Sequence, residues 1–127
     1  MKTFIGLVNR IRRDNPSLHS NGSLHFHATD NDQLMCYSKS TPYGSNVILV
    51  VINLSPYHTH SGWVHLDLDP LWLDSHHPFQ VQDLLTNASY QWNGPRNYVE
   101  LNPHSSPAHI FCVRRRLRTE HGVEQYM

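Results

Sequence analysis

The chain has 127 residues, ten Lys plus Arg against ten Asp plus Glu, 39% apolar and 16% charged residues, and therefore no formal net charge. That is enough chain for one domain with a buried core, and too little charge for a disordered segment or a basic nucleic-acid carrier. The longest apolar run, Val47 to Ile52, falls far short of the roughly 18 residues a membrane helix needs, so no membrane span is expected.

Phe4, Leu7, Val8 and Ile11 recur at helical spacing, with Arg10, Arg12 and Arg13 where cations favour a helix C-terminus, and Asn15-Pro16 stops the helix. From Leu24 the period becomes two: Leu24, Phe26 and Ala28 face one way, His25 and His27 the other, as in a half-buried strand. Asp30-Asn31-Asp32 turns the chain into Gln33 to Lys39, where Leu34 and Cys36 oppose Met35 and Tyr37, predicting a β-hairpin. Thr41-Pro42-Tyr43-Gly44 breaks the pattern. Val47 to Ile52 is apolar on both faces and rich in β-branched residues, as a central covered strand would be.

After Ser55-Pro56, Trp63 to Asp69 alternates, with Val64, Leu66 and Leu68 inward and His65, Asp67 and Asp69 outward. Pro70 to Pro78 reads as a loop. Phe79 to Leu85, Ala88 to Trp92, Tyr98 to Leu101 and Ala108 to Val113 supply four more short strands between Gly and Pro turns. The prediction is all-β: an antiparallel β-sandwich of about eight strands, Greek-key type, preceded by one N-terminal α-helix. Leu117 to Met127 is polar and unpatterned, as a frayed tail is.

Eleven histidines raise the question of a metal, because His25-x-His27 and His58-x-His60 could each present two rings on one side of a strand. No third or fourth ligand arrives at a defined spacing, so the histidines are expected on exposed strand faces and loops, with no metal site and no cofactor. Asp67, Asp69, Asp83 and Glu100 form no pair that spacing marks as catalytic, there is no Gly-x-Ser-x-Gly elbow, and the scattered glycines make no phosphate loop. Arg114-Arg115-Arg116 with Arg118 is a single basic run on a neutral chain, so nucleic-acid binding is not expected. The start of the chain lacks the pattern of a secretory leader and two Cys make no disulfide framework, so the expected setting is cytoplasmic and the sequons at Asn21, Asn53 and Asn87 carry little weight. Trp63, Trp72 and Trp92, with Tyr43, Tyr57, Tyr90 and Tyr98, could serve either as core or as flat platforms for sugar rings.

Asp83-Leu84-Leu85-Thr86, Tyr90-x-Trp92-x-Gly94, Asn97-Tyr98-Val99-x-Leu101-x-Pro103 and Pro107-Ala108-His109-Ile110-Phe111 follow one another in an order that resembles the end of the α-amylase-family (glycoside hydrolase family 13) maltosyltransferases, which extend α-1,4-glucans from maltose 1-phosphate. Upstream, Phe4-Ile5-x-x-Val8-Asn9-x-Ile11-Arg12-Arg13-x-Asn15-Pro16-x-Leu18 resembles the last helix of their catalytic barrel and its exit, and Val50 to Pro56 resembles the central strand and turn of their C-terminal domain. The resemblance covers about residues 4 to 114.

The resemblance implies a helix over 1–16 that belongs to a barrel outside this chain, a β-sandwich C-terminal domain over 17–116, and a flexible tail over 117–127. In that family the catalytic Asp, Glu and Asp lie on a (β/α)8 barrel; none aligns here, so no catalytic residue is assigned and the chain reads as a piece of a longer enzyme. The leading expectation is a non-catalytic accessory domain that stabilises or orients the barrel. Its core would comprise Val47 to Ile52, Phe79, Val81, Leu84, Ile110 and Phe111, with Asp83, Trp92, Asn97 and His109 holding turns and the sandwich edge. The alternative is an α-glucan-binding module stacking sugars on Trp63, Trp72 or Tyr98. The apolar stripe of the helix, lacking its barrel neighbours, is expected to support a weak homodimer.

Overall fold

The computed structural model describes residues 2–19, 23–118 and 124–126, with side chains over 5–19 and 23–115. Helix α1 (Lys2–Asp14) ends at Asn15, whose side-chain amide donates to the Ile11 carbonyl at 2.8 Å, and a 3-10 turn over Pro16–His19 follows. This is the stop that Asn15-Pro16 predicts. Strands β1 (His25–Thr29), β2 (Leu34–Ser40), β3 (Val47–Asn53), β4 (His60–His65), β5 (Phe79–Asp83), β6 (Ser89–Trp92), β7 (Arg96–Leu101) and β8 (Ala108–Arg118) pair antiparallel in the order β6-β5-β8-β3-β2-β1-β4-β7. The expected all-β architecture with one leading helix is therefore present. Within the segment read as a tail, Leu117 and Arg118 extend β8, and β9 (Glu124–Tyr126) pairs back onto it, while 119–123 and 127 lie outside the described residues. Phe4's side chain and the Asn21 sequon also fall outside them.

Strand β1 changes partners midway. His25 to His27 pair with β2, whereas Ala28 and Thr29 pair with β4, so this strand turns the corner between the two layers. The layers close on one core in which Leu49, Val51, Val64, Phe79, Val81, Leu101 and Phe111 are essentially sealed from solvent. Burial of such side chains is worth roughly 1.5–3 kcal/mol each and is the main force holding the layers together. Buried Asn53 joins them through hydrogen bonds close to the core: its side-chain amide donates to Leu101 O on β7 and to His58 O, both at 2.9 Å, and its carbonyl oxygen accepts from Ser55 N–H. Those bonds leave the Asn53 amide engaged rather than free for modification.

Three expectations are corrected. Phe26 is 60% exposed and His27 only 5%, so the inward face of β1 is the histidine face. The reason is polar pairing: Asp67 N–H donates to His27 Nδ1 at 3.1 Å, which puts the ring proton on Nε2, and that proton goes to Ser38 Oγ at 2.8 Å. The two histidine pairs were expected at the surface, and His27 departs from that. Strand β4 begins at His60 and ends at His65, upstream of the expected Trp63 to Asp69, because its register with β7 pairs His60 with Leu101 and His65 with Arg96. Finally, Leu84, Ile110 and Ile52 are half-buried rather than core, because Ile110 and Ile52 lie on the outer face of the β3–β8 pair and Leu84 follows the end of β5.

Candidate functional site

The register of β4 with β7 sets Trp63 directly opposite Tyr98, both on the outer face. Their ring centroids are 5.5 Å apart at 67°, an edge-to-face pair, and the Arg96 guanidinium lies 4.9 Å from the Trp63 ring centroid. Trp63 is thus held on one face by a cation and at its side by Tyr98. Tyr98 remains 51% exposed and Trp63 39%. Trp72 does not join them. It sits in left-handed backbone (φ 61), its indole Nε1–H donates to Ser40 Oγ at 3.3 Å, and its ring covers Gly44 so closely that a Cβ there would fall 2.4 Å from Trp72 Cγ. Gly44 itself has φ +70, so both the conformation and the approach require glycine.

Tyr98 walls two hollows. The first, about 650 Å³, is lined by Thr29, Asp30, Asn31, Asp32, Ser61 and Gly62. Its shape is fixed by polar bonds: Asp30 accepts from Trp63 N–H at 2.8 Å, and the Asn31 amide donates to Ser61 O at 3.0 Å. The second, about 210 Å³, opens between the two end strands of the sheet and is lined by Tyr90 and Trp92 of β6, Val99 and Glu100 of β7, and His109 and Phe111 of β8.

Of the residues expected to hold turns and the sandwich edge, Trp92 and His109 line that second hollow and Asp83 bonds to His109, whereas Asn97 lies apart in the β6–β7 turn. Asp83, fully buried, accepts from His109 Nδ1–H at 2.8 Å and from Leu85 N–H at 3.0 Å. Burial opposes its ionisation, but those donors outweigh burial and hold the carboxyl below its usual range. His109 stacks on Phe111 with centroids 4.6 Å apart, Phe111 meets Trp92 edge-to-face, and Tyr90 approaches both His109 and Phe111 edge-on. Asn97 accepts from Asn93 N–H and donates to Gly94 O, fixing the turn between β6 and β7.

A different cluster brings together His25, His27 and Asp67, with ligand-type atoms all within 4.8 Å of one another. His25 Nε2 lies 2.6 Å from Asp67 Oδ2, and that bond lowers the Asp67 carboxyl below its usual range. Burial, first, and the nearby His25 push the His27 ring down to about 4. Both His27 nitrogens are committed to protein partners, so the ring has no lone pair left for a metal while those bonds hold, and the cluster is a hydrogen-bond network. His58 and His60 form no such pair: His60 opens β4 and Asn31 Nδ2 lies 3.3 Å from its Nδ1, whereas His58 precedes the strand.

Opposite the Trp63–Tyr98 face, α1 lies over the outer side of β2, β3 and β8. A groove of about 490 Å³ between them is lined by Val8, Ile11, Leu18, Ile52 and Ile110, with Arg12, His19 and Lys39 beside these apolar groups. The helix exit is tied to the sheet by Asn46, whose amide donates to Asn15 Oδ1 at 3.0 Å and whose oxygen accepts Ser17 N–H at 3.1 Å. No helix among the described residues is long and apolar enough to cross a membrane.

Residues 26–113 match a family model described as GLGE, C-terminal. The chain is 49% identical over 108 residues to alpha-1,4-glucan:maltose-1-phosphate maltosyltransferase 2 of Streptomyces coelicolor, an alignment covering 85% of this chain and 16% of that protein. It is 40% identical over 119 residues to the maltosyltransferase of Chlorobaculum tepidum, covering 89% of this chain and 18% of the relative. With the maltosyltransferase of Myxococcus xanthus it shares 32% over 126 residues, covering 99% and 19%. The chain thus spans less than a fifth of the length of these relatives.

Proposed function

The chain belongs to the GLGE C-terminal family of maltosyltransferases, and from that premise we propose that it is a non-catalytic accessory domain that stabilises and orients the catalytic barrel of an α-1,4-glucan:maltose-1-phosphate maltosyltransferase. The observation that carries this reading is the α1 groove. Val8, Ile11, Leu18, Ile52 and Ile110 leave an apolar cleft beside a helix whose Ile5 is 54% exposed, and apolar surface of that kind gains by being covered. Arg12 in the same lining suits a partner surface that combines apolar and acidic groups. The setting this reading assumes is the reducing cytoplasm, where Cys36 and Cys112 persist as free thiols.

The test is a chimera in which this chain replaces the matched segment of the Streptomyces coelicolor enzyme. It should retain maltosyl transfer. Ile52→Asp and Ile110→Asp in the chimera should lower melting temperature and kcat together, with a smaller change in melting temperature of the isolated chain. Equal melting shifts in both settings would sink the docking role.

The exposed Tyr98, backed by Trp63 and Arg96, favours a second reading in which the domain also holds α-glucan, the polymer in the relatives' names. The flat apolar area of an aromatic ring with polar groups beside it suits a sugar ring, which has an apolar face and hydroxyls around its rim.

A further inference from the structure

We infer that a linear α-glucan, if the second reading above holds, crosses the domain over Tyr98, from the Asp30–Asp32 hollow to the cleft between β6 and β7, with His109 at its far end. The inference rests on the glucan reading and adds a location, a direction and a division of labour among the aromatics.

Four observations carry it. Tyr98 is the one aromatic ring that lines both hollows, so a chain leaving one meets it before entering the other. Trp63, with Arg96 on one face and Tyr98 at its side, buttresses the platform instead of forming it. The first hollow offers hydroxyl-pairing groups, Asp32 and Ser61 among them, on a backbone already braced by Asp30 and Asn31. The second combines aromatic walls, Tyr90 and Trp92, with Glu100 and His109.

His109 is the informative residue. The Asp83 carboxylate can only accept, so Nδ1 donates to it, and in the neutral ring Nε2 is left as an acceptor with no protein hydrogen-bond partner among the described residues. An acceptor fixed in orientation by a buried carboxylate, stacked on Phe111 and lining a hollow, suits a sugar hydroxyl and costs little ordering on binding. Trp72, whose indole N–H and one face are already used within the fold, takes no part.

Calorimetric titration of the 127-residue chain with maltoheptaose at millimolar concentration tests this, with glucose as the short-ligand control. The expected result is saturable binding to maltoheptaose that weakens tenfold or more in Tyr98→Ala and several-fold in Glu100→Ala or His109→Gln. Tyr98→Phe and Trp72→Ala should bind as the parent does, and glucose far more weakly. Far-UV circular dichroism and melting on each variant separate lost binding from lost fold, and Tyr98→Phe guards against misreading a folding defect. Normal binding by folded Tyr98→Ala, with loss in Trp72→Ala, overturns the track while leaving the glucan reading intact. No binding by the parent chain overturns both.

Discussion

The two outer faces of this domain are made by the same alternation of strand residues and yet present opposite surfaces. Over β2, β3 and β8 the outward positions are Ile52, Ile110 and Ala108, partly roofed by α1. Over β4 and β7 they are Trp63, Tyr98, Arg96 and Glu100. The first face offers a mainly apolar groove with cationic groups at its side, which suits another protein surface. The second sets aromatic rings among donors and acceptors, which suits a hydrated ligand. The difference teaches that exposure alone does not mark function: Ile5 and Tyr98 are exposed to a similar degree, at 54% and 51%, but Ile5 is an aliphatic residue on the helix whereas Tyr98 walls a hollow lined by Asp30, Asn31, Asp32 and Ser61.

The sharpest way to break the comparison is to loosen what joins the faces. His27 sits at the corner strand, with an ordinary value of 6.5 lowered to about 4 in the fold. As pH falls the unfolded chain takes up the proton first, so the stabilisation is complete above about pH 6.5 and is lost progressively down to about pH 4, on the order of 3 kcal/mol in all. Denaturant midpoints across that range should follow this slope, and His27→Gln should abolish it whereas His65→Gln should not. Asp83, held below its ordinary value, loses its contribution in a separate and more acidic window, as pH falls from that ordinary value of 3.8 through its lowered one.

Asn53→Ala comes next, because it strips the Leu101 and His58 carbonyls of their donors near the core, at a cost of about 2–3 kcal/mol in chemical unfolding. A smaller loss, about 1–2 kcal/mol, is expected for Asn46→Ala, with the distinctive outcome that amide exchange accelerates in α1 and the Pro16–His19 turn while β4 and β7 stay protected. Uniform acceleration would mean that the α1 face is not the separately attached element it resembles. Arg96→Ala should cost only about 0.5–1 kcal/mol and raise Trp63 fluorescence quenching by acrylamide as one face of the indole is uncovered. Leu7→Asp should leave stability nearly unchanged and lower the sedimentation mass of any self-associated form, the weakest effect in this series.

The strands that sequence reading placed well are those whose hydropathy and burial agree. Leu34 and Cys36 point inward on β2, and Val47 to Val51 are buried on both faces, as alternation and continuous apolarity respectively predict. It failed where a polar residue is buried because it is satisfied: the partners that draw His27 inward, Ser38 and Asp67, lie 11 and 40 residues away. The start of β4 is similarly silent, since His60-Ser61-Gly62 has no strand signal and is ordered by its pairing with β7. The motifs of the C-terminal half supplied the family, while the Trp63–Tyr98 pair needed a register between strands 35 positions apart that no local pattern encodes. Trp72 looked equivalent to Trp63 by type, and only the close approach of Gly44 separates their roles.

The sheet order leaves β6 and β7 as its two ends, each with a strand edge that no described neighbour on the sheet path pairs. Such edges are templates on which a second chain can zip itself, the usual start of ordered aggregation. Here β6 is only four residues long, Pro95 precedes β7, and Arg96 and Glu100 put opposite charges along that strand. A fragment designed for expression should therefore keep Pro95, Arg96 and Glu100 even if every other surface position is changed, because they keep a nearly closed sheet from recruiting its own copies.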